Sequence, residues 1–189
     1  PAQSTFVYDG TLKSLSGWSF AAGVDMARIF GTAPSSISGT NAGTYRLSGL
    51  YSNQLGYDIV ATPLTITPRP VTITYFAGFG TVVYGDPIPD PRTFGWGTSV
   101  TGGFAGQDLT GIAIFTTTAT SQSGVGNYAI TGSGLSLTSN YDVTVIQAPN
   151  NATALTIEPR AITITADALS RYYGDANPAL TYTVGGKGL

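Results

Sequence analysis

The sequence predicts an all-β chain built of tandem, small, Ig-like (Greek-key) β-sandwich-type repeats. Residues 64–74 (LTITPRPVTIT) and 155–165 (LTIEPRAITIT) alternate apolar with Thr. A period of two with β-branched side chains is the pattern of a half-buried strand. Chain-breaking residues are abundant, with 25 Gly and 11 Pro, and Gly-, Ser- or Asn-rich stretches separate the apolar runs. Several motifs also return in the same order along the chain.

Taken in order, further strands are expected at 57–60 (YDIV), 112–115 (IAIF), 128–131 (YAIT), 141–146 (YDVTVI) and 180–184 (LTYTV). Only residues 21–30 (AAGVDMARIF) have room for a helical turn. Gly23 and a poor match to the i, i+3, i+4 spacing argue against a longer helix. A β-grasp-like sheet is the alternative topology, but it needs a helix that the sequence hardly offers.

Tyrosine turns occur at 7–10 (VYDG), 83–86 (VYGD) and 172–175 (YYGD), with Tyr8, Tyr84 and Tyr173 at their centres. NAGTYRLSG around Tyr45 returns as GVGNYAITG around Tyr128, and the Pro-Arg dipeptide returns at Arg69 and Arg160, 160 − 69 = 91 residues apart. A period of that length is a small domain rather than a solenoid coil of about 20–50 residues. Parsing at the Pro-Arg junctions gives residues 1–68, a first repeat lacking its opening strand; 69–159, a complete repeat; and 160–189, the start of a third. The chain therefore reads as a stretch cut from a longer array. Its tail is expected to begin another repeat rather than fold back onto residues 1–68.

The VYDG repeat resembles the bacterial YDG domain, through VYDGT, LSGWSF, NAGTYRLSG, YDIV and LTITPRP. The VYGD and YYGD repeats resemble the MBG domain of the YGX type, through PRPVTIT, VYGDP, GFAGQDLTG, GVGNYAITGSGLS and NYDVTV. The resemblance spans essentially the whole chain. Residues 94–103 (FGWGTSVTGG) depart from it as an insertion expected to lengthen a loop. The resemblance implies tandem domains of large secreted or surface-anchored, adhesin-like bacterial proteins. It places the chain outside the cell, with neighbouring repeats of the same chain as partners and a host or matrix glycan or protein ligand at a distal domain.

Composition narrows the chemistry. His and Cys are both absent, which removes imidazole and thiolate metal ligands, Cys nucleophiles, disulfides and the Ser-His-Asp triad. Charged residues are 10%, against about 25% in an ordinary globular chain, and the net charge is −2. Nothing basic points to nucleic acid or an anionic membrane, and no apolar run is long enough for membrane insertion. No enzyme activity and no cofactor are expected. The acids are scattered without an EF-hand spacing; Asp86 and Asp90 are the closest pair and a weak calcium candidate against the simpler reading as turn formers.

In the turns, Gly supplies positive φ, Asp accepts local amide bonds, and the tyrosine buries its ring. Tyr8, Tyr84, Tyr45 and Tyr128 are therefore expected to be buried anchors, with Tyr173 as their counterpart in the third repeat. The Tyr45 and Tyr128 elements are similar to the tyrosine corner of sandwiches. Trp18 reads as core. Trp96, flanked by glycines and near Phe94, is the candidate sugar-stacking residue. Lys13 beside Asp9 is the only pair placed for an isopeptide crosslink, and Asn151-Ala152-Thr153 has the glycosylation spacing. The function expected is a stalk or spacer, with short stiff Pro-Arg connectors whose prolines also guard a strand edge, and with self-association into a filament as an open partner reading. The alternative is a carbohydrate-binding module using Trp96.

Overall fold

A computed structural model describes residues 3–54 and 59–186. The first repeat contributes β1 (Thr5–Val7), β2 (Lys13–Ser16), β3 (Ile29–Gly31), β4 (Ser36–Gly39), β5 (Gly43–Tyr45), β6 (Leu50–Ser52) and β7 (Leu64–Thr67). The middle repeat follows with β8 (Arg69–Ala77), β9 (Gly80–Val83), β10 (Trp96–Thr101), β11 (Leu109–Thr116), β12 (Gly126–Tyr128), β13 (Thr131–Leu137), β14 (Tyr141–Gln147) and β15 (Leu155–Glu158). The tail holds β16 (Ile162–Ala166) and β17 (Tyr182–Gly186). Among the described residues, helix is confined to 3-10 turns of three to five residues, one of them Met26–Arg28 inside the stretch expected to hold a helical turn.

The fold is all-β, as the alternation requires. Its small sheets add a feature that an antiparallel Greek key lacks. β1 runs parallel to β7, β8 to β14, and β9 to β15. Parallel neighbours need long crossovers, and here each crossover is most of a repeat.

The repeat in sequence is a repeat in register. In the sheet β1-β7-β5, Ile66 of β7 stands opposite Phe6 and Gly43. In the sheet β9-β15-β12, Ile157 of β15 stands opposite Val82 and Gly126. Leu64, Ile66, Leu155 and Ile157 are all fully buried.

Two compact units form. The first comprises Pro1–Phe76, Trp96–Ile114 and Gly132–Ala148. It holds β1-β7-β5, the sheet β10-β8-β14, and the pairs β11-β13, β2-β4 and β3-β6. One core cluster in it joins Tyr8 and Ile66 to Val71 and Tyr141, and a second joins Leu15, Ile37 and Leu64, with Trp18 packed against it. β8 is its best-buried strand: Val71, Ile73 and Tyr75 are sealed while Thr72 and Thr74 face away. Each such side chain contributes about 1.5–3 kcal/mol. The second unit comprises Ala77–Gly95, Phe115–Thr131 and Pro149–Leu189, with β9-β15-β12 and the hairpin β16-β17.

Several expectations need correcting. Residues 64–74 are two strands, because Pro68 has no N–H to continue the ladder. Pro70 guards no edge; it is the second ladder position of β8, opposite Asp142, in the central strand of its sheet. Residues 94–103 are not merely a longer loop, since they supply β10. The run 128–131 is broken at Ala129–Ile130. Of the run 57–60, Tyr57 and Asp58 lie outside the described residues, and Ile59 and Val60 are in no strand. The matching strand β14 is paired along its length with β8.

Candidate functional site, an arginine clasp where repeats meet

Each Pro-Arg junction sets an arginine at the first turn of chain beyond a proline. At the first junction Pro68 ends β7, and the Arg69 amide donates to the Asn140 carbonyl at 2.9 Å. The Arg69 side chain then reaches back: its Nε donates to the carbonyl of Tyr8 at 2.8 Å and an Nη to that of Gly103 at 3.0 Å. The Tyr8 amide in turn donates to Thr67 at 2.9 Å. Gly102 and Gly103 make this approach achievable. Both have positive φ (110° and 72°), and a Cβ on Gly103 would lie 2.7 Å from the Arg69 guanidinium.

Apolar packing backs the clasp. The Tyr8 ring meets Tyr141 of β14 edge to face, with centroids 5.3 Å apart. Tyr141 is buried; its hydroxyl donates to Asp108 at 2.7 Å and accepts from the Ala105 amide at 3.2 Å. Burial raises the Tyr141 phenol above its ordinary value; the Ala105 amide opposes that shift and the Asp108 carboxylate adds to it. Asn140 accepts from the Ala42 amide and donates to Asn41, so the tyrosine-corner loop of the first repeat is fastened to the second.

The second junction repeats the clasp. Arg160 Nε donates to the Tyr84 carbonyl, and its Nη2 pairs with Asp86 at 2.5 Å. Gly85 is at φ 83°, with a would-be Cβ 3.2 Å from Arg160 Nη2. The exchange of Asp and Gly between turns now has a physical account. In VYGD the carboxylate of Asp86 reaches the clasp arginine. In VYDG the carboxylate of Asp9 turns instead to Lys13 at 2.6 Å and to the hydroxyl and amide of Thr11. Lys13 first, then Thr11, hold the Asp9 carboxyl far below its usual range. Lys13 Nζ also bonds Thr11 and lies over the Phe6 ring.

The anchor tyrosines divide. Tyr8 is buried. Tyr45 and Tyr128 are partly buried, and their hydroxyls donate to the carbonyls of Asn41 and Gly124, at 2.8 and 2.7 Å, four residues back in each case. Tyr84, expected to be buried, is 43% exposed, and Tyr173 lies fully in solvent. Tyr8 is covered by the Tyr141 ring, and among the described residues no aromatic ring packs on Tyr84 or Tyr173 in that way.

The remaining candidates resolve in the same way. Asp86 is paired with Arg160, and Asp90 caps the turn at Pro91–Phe94 and pairs with Arg92 at 2.7 Å, which lowers the Asp90 pKa. With both carboxylates held by arginine, the calcium reading loses its ligands, and no group of three potential metal ligands forms among the described residues. The Phe94 ring covers Gly80, where a Cβ would strike it. Trp96 opens β10 and is 53% exposed. Trp18 donates to the Pro34 carbonyl at 2.8 Å. Asn151 is buried, its side chain accepting from Ala77 and its carbonyl from Ile130, so the glycosylation spacing falls on an inaccessible side chain.

Two features escaped sequence reasoning. One is the clasp. The other is a pair of glycines facing each other in each repeat. A Cβ on Gly31 would strike the Gly49 carbonyl, and one on Gly111 the Gly134 carbonyl, with all four at φ near 90°. The only signal for either is recurrence: an arginine after each junction proline, and glycines at matching places in both repeats.

A family model of the MBG domain (YGX type) matches residues 71–152 and again residues 162–187. The two matches begin 162 − 71 = 91 residues apart, the spacing of Arg69 and Arg160. No curated protein and no solved structure matches the chain.

Proposed function

Because the chain belongs to the YGX-type MBG domain family, we propose that it works as a stalk or spacer segment of a bacterial cell-surface or secreted adhesin-like protein. Its task is mechanical and positional, holding a distal binding region away from the cell and resisting unfolding. The observation that carries this reading is the repeated clasp, with Arg69 on the Tyr8 carbonyl and Arg160 on the Tyr84 carbonyl. In both clasps a charge-assisted bond to a main-chain carbonyl puts load on the backbone, with the Asp86 side chain as a further partner at the second. The extracellular setting accords with a chain free of Cys and poor in charge, in which no described helix is long and apolar enough to cross a membrane.

Pulling the 189-residue chain from its two ends in a force spectrometer tests the proposal. Arg69→Ala is expected to lower the force of one unfolding event and leave the others in place. Unchanged force profiles would count against a load-bearing junction.

One observation favours a second reading. Trp96, half exposed between Gly95 at φ 90° and Gly97, presents an indole where a sugar ring could stack. Reproducible glycan-array binding that is lost in Trp96→Ala would establish it.

A further inference from the structure

We propose that the outer face of the β3-β6 ribbon in the first repeat is a sugar-binding platform, and that its ligand is a neutral pyranose ring of a glycan, stacked on Phe30 and Tyr51. The site is independent of the spacer reading and lies on other strands than the one that carries Trp96.

β3 and β6 pair antiparallel, with Ile29 opposite Ser52, Phe30 opposite Tyr51 and Gly31 opposite Leu50. Side chains alternate across a strand, so Phe30 and Tyr51 share one face, while Ile29, Leu50 and Ser52, all partly buried, share the other. On the outer face the two rings stack, with centroids 5.8 Å apart and planes 26° from parallel. Phe30 is 38% exposed and Tyr51 61%, so Tyr51 meets Phe30 on one side and solvent on the other. Polar groups stand at the end of this platform. The Asn53 amide donates to the Arg28 carbonyl at 3.3 Å, one ladder step beyond Ile29 and Ser52. Arg28 Nε lies 3.3 Å from the Asp25 carboxylate, and both side chains are more than half exposed.

The middle repeat shows that the fold does not need these rings. Its facing glycines Gly111 and Gly134 correspond to Gly31 and Gly49, in the same close approach and at positive φ. Counted from those glycines, Thr110 takes the place of Phe30 and Ser136 that of Tyr51. There too the two side chains meet across β11 and β13, as hydroxyls 2.9 Å apart. The ribbon thus forms with a small polar pair, and folding does not explain two large rings held in water. The outer face lies in solvent in both repeats, in the first with a repeat after it and in the middle one with a repeat before it. The chemistry selects a sugar. A pyranose offers a face of C–H groups to an aromatic ring and a rim of hydroxyls to planar polar side chains, here those of Arg28, Asp25 and Asn53. Asp25 offsets the Arg28 charge, which favours a neutral sugar over an acidic one. Size argues against a protein, because three ladder pairs span roughly 10 Å, far less than the about 800 Å² that each partner buries in a standard interface.

Nuclear magnetic resonance titration of the full chain tests the platform, with methyl β-glucopyranoside, methyl β-galactopyranoside, cellobiose and lactose as probes. At least one of them should give saturable shifts at the ring resonances of Phe30 and Tyr51. Phe30→Thr combined with Tyr51→Ser installs the pair with which the middle repeat already folds, so the circular dichroism spectrum should be unchanged. That double variant should bind about tenfold more weakly or worse. Trp96→Ala should bind as the parent does, which separates this platform from the Trp96 reading. Methyl β-glucuronide should bind no more tightly than the glucoside. No saturable shift with any of the four neutral probes overturns the proposal. So does binding that persists in the folded double variant, that is lost in Trp96→Ala, or that favours the glucuronide. A response of the two rings to a Pro-rich peptide and to none of the sugars overturns it as well.

Discussion

Replacing Arg69 by Ala should weaken the first compact unit selectively. The side chain makes two bonds to carbonyls, Tyr8 at 2.8 Å and Gly103 at 3.0 Å, and it is only partly exposed. Hydrogen bonds to a charged donor contribute about 1.5–3 kcal/mol each when buried. Solvent at the Gly103 side screens the second, so the pair together should be worth about 2–3 kcal/mol. With a urea slope of about 2 kcal/mol/M, that moves the midpoint down by about 1 M. Both tryptophans, Trp18 and Trp96, belong to the first unit, so tryptophan emission, excited selectively over tyrosine, reports on that unit. Arg69→Lys keeps the charge without the planar fork and should fall between the two. Arg28→Ala, which removes a pair with Asp25 in which both side chains are more than half exposed, should shift the midpoint little. An Arg69→Ala midpoint indistinguishable from that of Arg28→Ala would refute the clasp as a source of stability.

Gly111→Ala should lower the melting temperature sharply: φ 90° alone costs about 1–3 kcal/mol and the new Cβ strikes the Gly134 carbonyl, whereas Gly97→Ala, with open space at its Cβ, should be near neutral by the same thermal melt. Tyr141 has its pKa raised in the folded chain above the ordinary 10.0, so its contribution is complete below that pH and lost as pH climbs through the raised value. Denaturant midpoints taken between about pH 9 and 12 should therefore fall less steeply in Tyr141→Phe than in the parent. Asn151→Ala strips the Ala77 amide of its partner and should cost the second unit about 1–3 kcal/mol, followed by far-ultraviolet circular dichroism on heating.

The strands were legible wherever burial follows a period of two. Val71, Ile73 and Tyr75 point to one face because nothing interrupts that alternation. The tyrosine corners were legible too, since the bond from Tyr45 or Tyr128 runs to a carbonyl only four residues back. The clasp was not, because Arg69 meets Tyr8 across 61 residues and no local pattern encodes the meeting. Tyr8 is buried as expected, but the burial of Tyr84 was misjudged for a related reason. The Tyr8 ring owes its burial to Tyr141, a residue far along the chain, and such a partner is not held in the turn motif itself. β10 was misread as loop because its glycines look like turn chemistry; Gly102 and Gly103 do turn the chain, but only after six residues have paired.

Both clasp arginines grip a main-chain oxygen, and Arg160 adds the Asp86 carboxylate. Every residue type carries that main-chain oxygen, so the grip on it holds no address: Arg69 would find the same acceptor whatever side chain stood at position 8. An assembly whose joints are written in backbone can gain, lose or reorder modules by recombination without a new joint having to evolve each time. What discriminates one neighbour from another is left to side-chain contacts, the Tyr8 ring on Tyr141 and Asn140 on Asn41 at the first junction and Asp86 on Arg160 at the second, a separate layer that can drift while the joint itself stays standard.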